Sequence, residues 1–134
     1  MILITTNALA GQEDLIGNWE GGDTASYAIY GVMNVNTKTI SWKKNYNYPR
    51  NCNLRYQVQE EQGNIEFQDQ IGNKHLTGNS KEPTYLLKVT QDNCSTGLGY
   101  VRFSFPLEND RSYMAFIEYD SNMQVQGLMH FHKK

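Results

Sequence analysis

Short runs in which apolar and polar residues alternate, each ended by turn-forming residues, occupy most of this chain from Thr39 to His132. Side chains of an extended strand point to opposite faces in turn, so a period of two is the signature of a half-buried strand, whereas a helix needs apolar residues three and four apart. The clearest runs set Ile40, Trp42, Tyr46 and Tyr48 against Thr39, Ser41, Lys43, Asn45 and Asn47, and Val101, Phe103, Phe105 and Leu107 against Arg102 and Ser104. Only Lys44 interrupts the first of these rows. The pattern predicts an all-β chain with no substantial helix.

Reading along the chain, Leu15 to Glu20 is a first strand broken by Gly21-Gly22, and Ala25 to Val35 a second, rich in tyrosine and aliphatic residues, with Gly31 as a bulge. Thr39 to Tyr48 and Leu54 to Gln59 follow, the latter ending in a turn over Glu60-Glu61-Gln62-Gly63-Asn64. Ile65 to Gln68, a faint strand over Lys74–Gly78 after the Gly72-Asn73 turn, Thr84 to Gln91, Val101 to Leu107, Tyr113 to Tyr119 and Val125 to His132 complete the set. Both faces of Tyr113–Tyr119 are largely apolar, which places that strand centrally. About eight to ten strands joined by tight turns indicate an antiparallel meander, closed as a barrel or stacked as a sandwich. At 134 residues the chain suits one core and one domain.

Charge and cysteines narrow the function classes. A net charge of −2 offers no global attraction for phosphate backbones, so nucleic acid is not expected as a partner. No apolar run reaches the roughly 18–20 residues of a membrane-spanning helix. Ala8-Leu9-Ala10 has the small-x-small form of a signal-peptidase site, so residues 1–10 are read as the remnant of a signal peptide, or else as an ordinary N-terminus, with residues 11–134 as the domain. Cys52 and Cys94 stand in polar, loop-like contexts, which favours a disulfide in a periplasmic or extracellular protein. Bridged Cα atoms lie within about 7 Å, and this sets a parity condition. In a strict meander, only an even number of strands between Cys52 and Cys94 brings them to the same end, so a real bridge predicts that the faint strand at Lys74–Gly78 exists.

Gly17-Asn18-Trp19 on a first strand, followed by an antiparallel meander, resembles the lipocalin and calycin superfamily, whose barrels open on a Gly-x-Trp motif. The resemblance implies a cupped, lipocalin-like barrel, structural roles for Gly17 and Trp19, and a small, often apolar ligand held inside. It also implies an arginine from the last barrel strands stacked on the tryptophan, a place for which Arg111 or Lys133 would be the substitute here. The related fatty-acid-binding proteins put a helical lid after the first strand; the strand-like reading of residues 24–35 sets that branch aside.

Catalytic patterns do not emerge. There is no Gly-x-Ser-x-Gly elbow, His-Glu-x-x-His helix or phosphate-cradling glycine loop, so the expectation is a non-enzymatic protein with no cofactor. His130 and His132 share a strand face but lack an identifiable third ligand, so no metal site is assigned. The ligand-binding candidates are Trp42, Tyr46, Tyr48 and Tyr56, which either line a pocket mouth or pack in the core, and Arg102, which anchors an anionic group if its face lines the lumen and is a surface charge if it does not. The functional expectation is an exported barrel binding a small apolar or amphipathic molecule. The alternative is an exported barrel acting through its loops, Tyr48 and Arg50 among them, as a protein-binding module or inhibitor. A cavity of about 300 Å³ or more lined by the inward rows separates the two.

Overall fold

The computed structural model describes residues 12–63, 65–77, 84–107 and 109–134, and the Ala8-Leu9-Ala10 pattern lies outside them. The strands are β1 (Gly17–Gly21), β2 (Val32–Val35), β3 (Thr39–Trp42), β4 (Cys52–Gln62), β5 (Ile65–Gln68), β6 (Lys74–Thr77), β7 (Thr84–Asp92), β8 (Tyr100–Ser104), β9 (Tyr113–Tyr119) and β10 (Val125–Lys133), with a 3₁₀ turn at Gln12–Leu15 and one helix, α1 (Thr24–Tyr30). Eight of the strands close an antiparallel barrel in the order β1-β2-β3-β4-β7-β8-β9-β10 and back to β1, while β5 and β6 pair only with each other. The barrel is calycin-like in form, and the meander is continuous except for that one excursion.

Alternation decides the two faces. Trp19, Met33, Ile40, Leu54, Leu87, Phe103 and Phe116 point inward and are fully buried. On β9 the other face is covered too: Ile117 and Tyr119 pack with Leu86 of β7 on the outside of the barrel, and Phe67 of β5 lies against them. The β5–β6 hairpin is thus folded back over β7–β9, held in addition by a hydrogen bond between Thr77 Oγ1 and Ser104 Oγ. Here lies the reason that both faces of β9 are apolar.

Residues 24–30 overturn the strand expected over Ala25–Val35. Asp23 caps a helix there, its Oδ1 accepting from the Ser26 amide at 2.8 Å, and Gly31 ends it at φ 61° instead of forming a bulge. The buried positions, Ser26 and Tyr30, are four apart, as a helix requires. The helix closes one end of the barrel, and the ground for setting aside a post-β1 helix falls with the strand reading.

Three other boundaries move. The strand predicted over Thr39–Tyr48 stops at Trp42, because the Asn45 side chain accepts from the Asn47 and Tyr48 amides and folds the chain into a turn. β4 continues through Glu60 and Glu61 to Gln62, where a turn was expected, and two register shifts, between Arg55 and Tyr56 and between Val58 and Glu60, absorb the extra length. β8 ends at Ser104, ahead of Pro106.

Cys52 and Cys94 form the predicted disulfide, with Cα atoms 5.5 Å apart. The faint strand exists as β6, and the parity condition holds for a reason the sequence conceals. β5 and β6 leave the barrel as a pair, so β4 and β7 become antiparallel neighbours and the start of one meets the end of the other.

At the opposite end the Gly-x-Trp step has a direct physical explanation. Lys133 Nζ stands 4.8 Å from the centre of the Trp19 ring and donates to the Ile16 carbonyl at 2.6 Å. Gly17, at φ 137°, leaves room for the lysine stem, since a Cβ there would sit 2.9 Å from Lys133 Cε. Trp19 Nε1 in turn donates to the Leu15 carbonyl at 2.8 Å. Of the two proposed basic residues, Lys133 takes the place over the tryptophan, whereas Arg111 stands over Phe105, 5.6 Å from its ring centre.

Candidate functional site

The lumen is packed with rings. Phe116 lies at its middle, 5.1 Å from Phe103, 5.5 Å from Tyr30 and 5.7 Å from Phe131 between centroids. Tyr30 reaches in from α1 and also meets Trp42 edge-on at 4.8 Å. Its hydroxyl donates to Glu118, the carboxyl group that β9 directs inward. Burial pushes the Glu118 carboxyl above the ordinary range, partly offset by that hydrogen bond, and the Tyr30 phenol is held well above its usual value by the same burial and by the neighbouring carboxyl. Both shifts are toward the neutral form.

A concavity of about 770 Å³ lies at the disulfide end, outside the packed rings. Its floor is built by register. Asn18 stands opposite Asn34, Asn34 opposite Ser41 and Ser41 opposite Asn53, so four adjacent strands contribute one continuous polar row to the outer face. Asn34 Nδ2 donates to Asn18 Oδ1 at 2.9 Å within this row. One wall comes from the C-terminal turn of α1 and Gly31, and the other from Lys43, Lys44 and Asn45 after β3 and from Asn51 before β4. Asn45 and Asn47 tie the second wall to the first, donating through Nδ2 to the carbonyls of Ile29 at 2.7 Å and Ala28 at 2.9 Å. Cys52 also lines the groove, and the disulfide with the Asn93 amide, which donates to the Asn51 carbonyl at 3.0 Å, braces the wall from β7's side. Trp42 borders the groove as well, and its indole Nε1 is buried with no hydrogen-bond partner among the described residues. A buried donor left unpaired costs about 1–3 kcal/mol, and the ring that carries this one packs on the inward side of β3 against Tyr30, away from the outward row of the floor.

The residues singled out from the sequence separate widely. Trp42 borders the groove. Tyr48 packs edge-on against Trp42 at 5.7 Å without entering the groove's lining. Tyr46, expected on the same face, is fully exposed at the tip of the loop. Tyr56 is buried and donates its hydroxyl to the Asn36 carbonyl at 2.5 Å. Arg102 corrects both of its alternatives: it points to the outside of the barrel, yet it is 2% exposed, donating to Tyr119 Oη at 3.4 Å and Thr84 Oγ1 at 3.1 Å on the flank that carries the hairpin. It neither lines the lumen nor faces solvent.

Reading the sequence passed over the polar row because Asn18, Asn34, Ser41 and Asn53 are the outward half of ordinary alternating strands. A faint signal was present in the amide-rich composition of Asn45, Asn47, Asn51 and Asn53 around the first cysteine. Among the described residues no group of His, Cys, Asp and Glu is arranged to hold a metal ion, and no helix is long and apolar enough to cross a membrane. No family model matches the chain, and neither a curated protein nor a solved structure matches it.

Proposed function

We propose that this chain is an exported, non-enzymatic binding barrel that takes a small ligand in the groove beside Trp42 and not in its lumen. The observation that carries the reading is an open concavity of about 770 Å³ with the Asn18–Asn34–Ser41–Asn53 row as its floor and Lys43, Lys44 and Lys134 in its lining. The interlocked rings argue against the apolar molecule first expected inside, because a guest there would have to displace Phe116 or Tyr30 from close aromatic contact. Export is supported by the disulfide, a bond that persists in oxidising compartments. The alternative, a module that binds another protein through its loops, draws support from Ile71 and Leu76, 83% and 65% exposed on the β5–β6 hairpin.

Native mass spectrometry on protein purified from its own compartment tests the reading. The expected spectrum carries an adduct of small mass that is lost in Ser41→Trp, a substitution that fills the groove floor, while circular dichroism shows the barrel intact. An adduct retained by Ser41→Trp would move the site elsewhere. A captured protein that is lost on Leu76→Asp instead would favour the hairpin reading.

A further inference from the structure

The groove's chemistry specifies more than its position. Its lining includes Lys43, Lys44 and Lys134 and contains no Asp or Glu, although acidic residues outnumber basic ones in the chain as a whole, 14 to 12. Glu20 meets Lys134 from outside that lining, at 3.9 Å, and both side chains are well exposed. A locally cationic concavity on a weakly anionic protein attracts negative charge there and repels it elsewhere.

The floor adds a second requirement. Asn18, Asn34, Ser41 and Asn53 come from four successive strands, and neighbouring strands are about 4.8 Å apart, so hydrogen-bonding groups recur at that interval across the sheet. Each asparagine supplies a carbonyl acceptor and an NH₂ donor, and serine supplies a hydroxyl that does both. A compact anion such as phosphate fills one such interval and leaves the others unused. A linear chain of sugar residues, each about as long as one strand spacing, meets a fresh donor and acceptor pair at every step. Tyr27, 56% exposed on the α1 wall, offers an aromatic face of the kind that packs against a pyranose ring.

We infer that the groove binds a short acidic oligosaccharide, its carboxylates facing Lys43, Lys44 and Lys134 and its hydroxyls on the Asn18–Asn34–Ser41–Asn53 row. This rests on the proposed function, whose site it shares. A flat polar sheet face alone selects no ligand; the three lysines in a lining without carboxylates, the strand-spaced amide row and the exposed Tyr27 ring together do.

The test is a titration of ¹⁵N-labelled protein with tetragalacturonate, with its uncharged counterpart tetragalactose, and with inorganic phosphate. Tetragalacturonate is expected to shift the side-chain amide signals of Asn18, Asn34 and Asn53, with an affinity that falls as salt rises. The Lys43→Gln/Lys134→Gln double variant, both positions exposed and tolerant, should bind about tenfold more weakly with a flatter salt dependence. Asn34→Leu should weaken binding and leave the salt dependence unchanged. Equal binding of tetragalactose overturns the requirement for charge, equal competition by phosphate overturns the requirement for the hydroxyl row, and no shift of groove signals at millimolar tetragalacturonate overturns the ligand class. The last result leaves the adduct experiment with Ser41→Trp to judge the groove itself, so the two failures are distinguishable.

Discussion

The two flanks of this barrel use the same strand chemistry for opposite ends. On β7–β9 the outward rows are Leu86, Arg102 and Ile117 in one register and Thr84, Ser104 and Ala115 in the next, and all six are buried on the flank that carries the β5–β6 hairpin. On β1–β4 the outward row is Asn18, Asn34, Ser41 and Asn53; its three asparagines are exposed, and the row forms the floor of a groove. One flank has gained a second layer and become wall, while the other has stayed a single layer with its asparagines at the surface. The contrast shows why an arginine in a strand was a poor guide to function here. Arg102 is enclosed among Thr84 and Tyr119 as part of a covered layer, whereas the row proposed to bind a ligand is the unremarkable polar half of the opposite strands.

The seam between the flanks gives the largest effect. The disulfide joins the start of β4 to the end of β7 across a separation of 42 residues, and the chain-entropy model assigns it about 4 kcal/mol. The Cys52→Ser/Cys94→Ser variant should lose about that much stability in urea denaturation. If the flanks differ as described, hydrogen exchange should accelerate first at Asn51–Asn53 and the groove wall, with β8 and β9 protected longer. Uniform acceleration would mean that the flanks are one cooperative unit and that the contrast is only geometric.

A matched pair of substitutions probes the contrast directly. Ile117 and Asn34 both point outward from their strands, the first fully buried and the second exposed. Ile117→Ala should cost about 2–5 kcal/mol, the range for truncating a packed aliphatic side chain, and Asn34→Ala should stay within about 0.5 kcal/mol. Similar costs at the two positions, read from denaturation midpoints, would refute the claim that the hairpin turns one outer face into core.

Much of this architecture was legible in the alternation, and the exceptions share a cause. The barrel strands from β7 to β10 fell within a few residues of where their periodicity put them, the Cys52–Cys94 bridge was legible in the polar contexts of its cysteines, and parity then pointed to β6. The helix did not, because Tyr27, Ile29 and Tyr30 are residues that strands favour, and two helical turns offer too few positions for a period of 3.6 to show. Its real markers were the Asp23 cap and Gly31. Nor could β5 and β6 be told from barrel strands, since a hairpin lying on a sheet alternates like the sheet itself. The groove was least legible of all. Asn18, Asn34, Ser41 and Asn53 are scattered over 36 positions, and only strand register gathers them into one row.

Buried charge offers the smallest and most selective test of the difference between the regions. Glu118 lies at the end closed by α1, and burial raises its folded-state pKa above the ordinary glutamate value of 4.5, so the folded protein holds this proton more tightly than the unfolded chain does. For an acid raised in this way, the contribution to stability is complete below about pH 4.5 and is lost as pH rises through the folded-state value. Wild-type stability should therefore decline relative to Glu118→Gln as pH is raised from about 4.5 toward neutrality. Tyr30→Phe sharpens the prediction, because the Tyr30 hydroxyl donates to Glu118 and its removal takes away the one interaction that favours the carboxylate. That variant should cost about 1 kcal/mol at low pH and fall more steeply than wild type as pH increases. Parallel pH profiles for the wild type and Glu118→Gln would show that Glu118 has water access at the α1 end, and that this end is as open as the groove beside it.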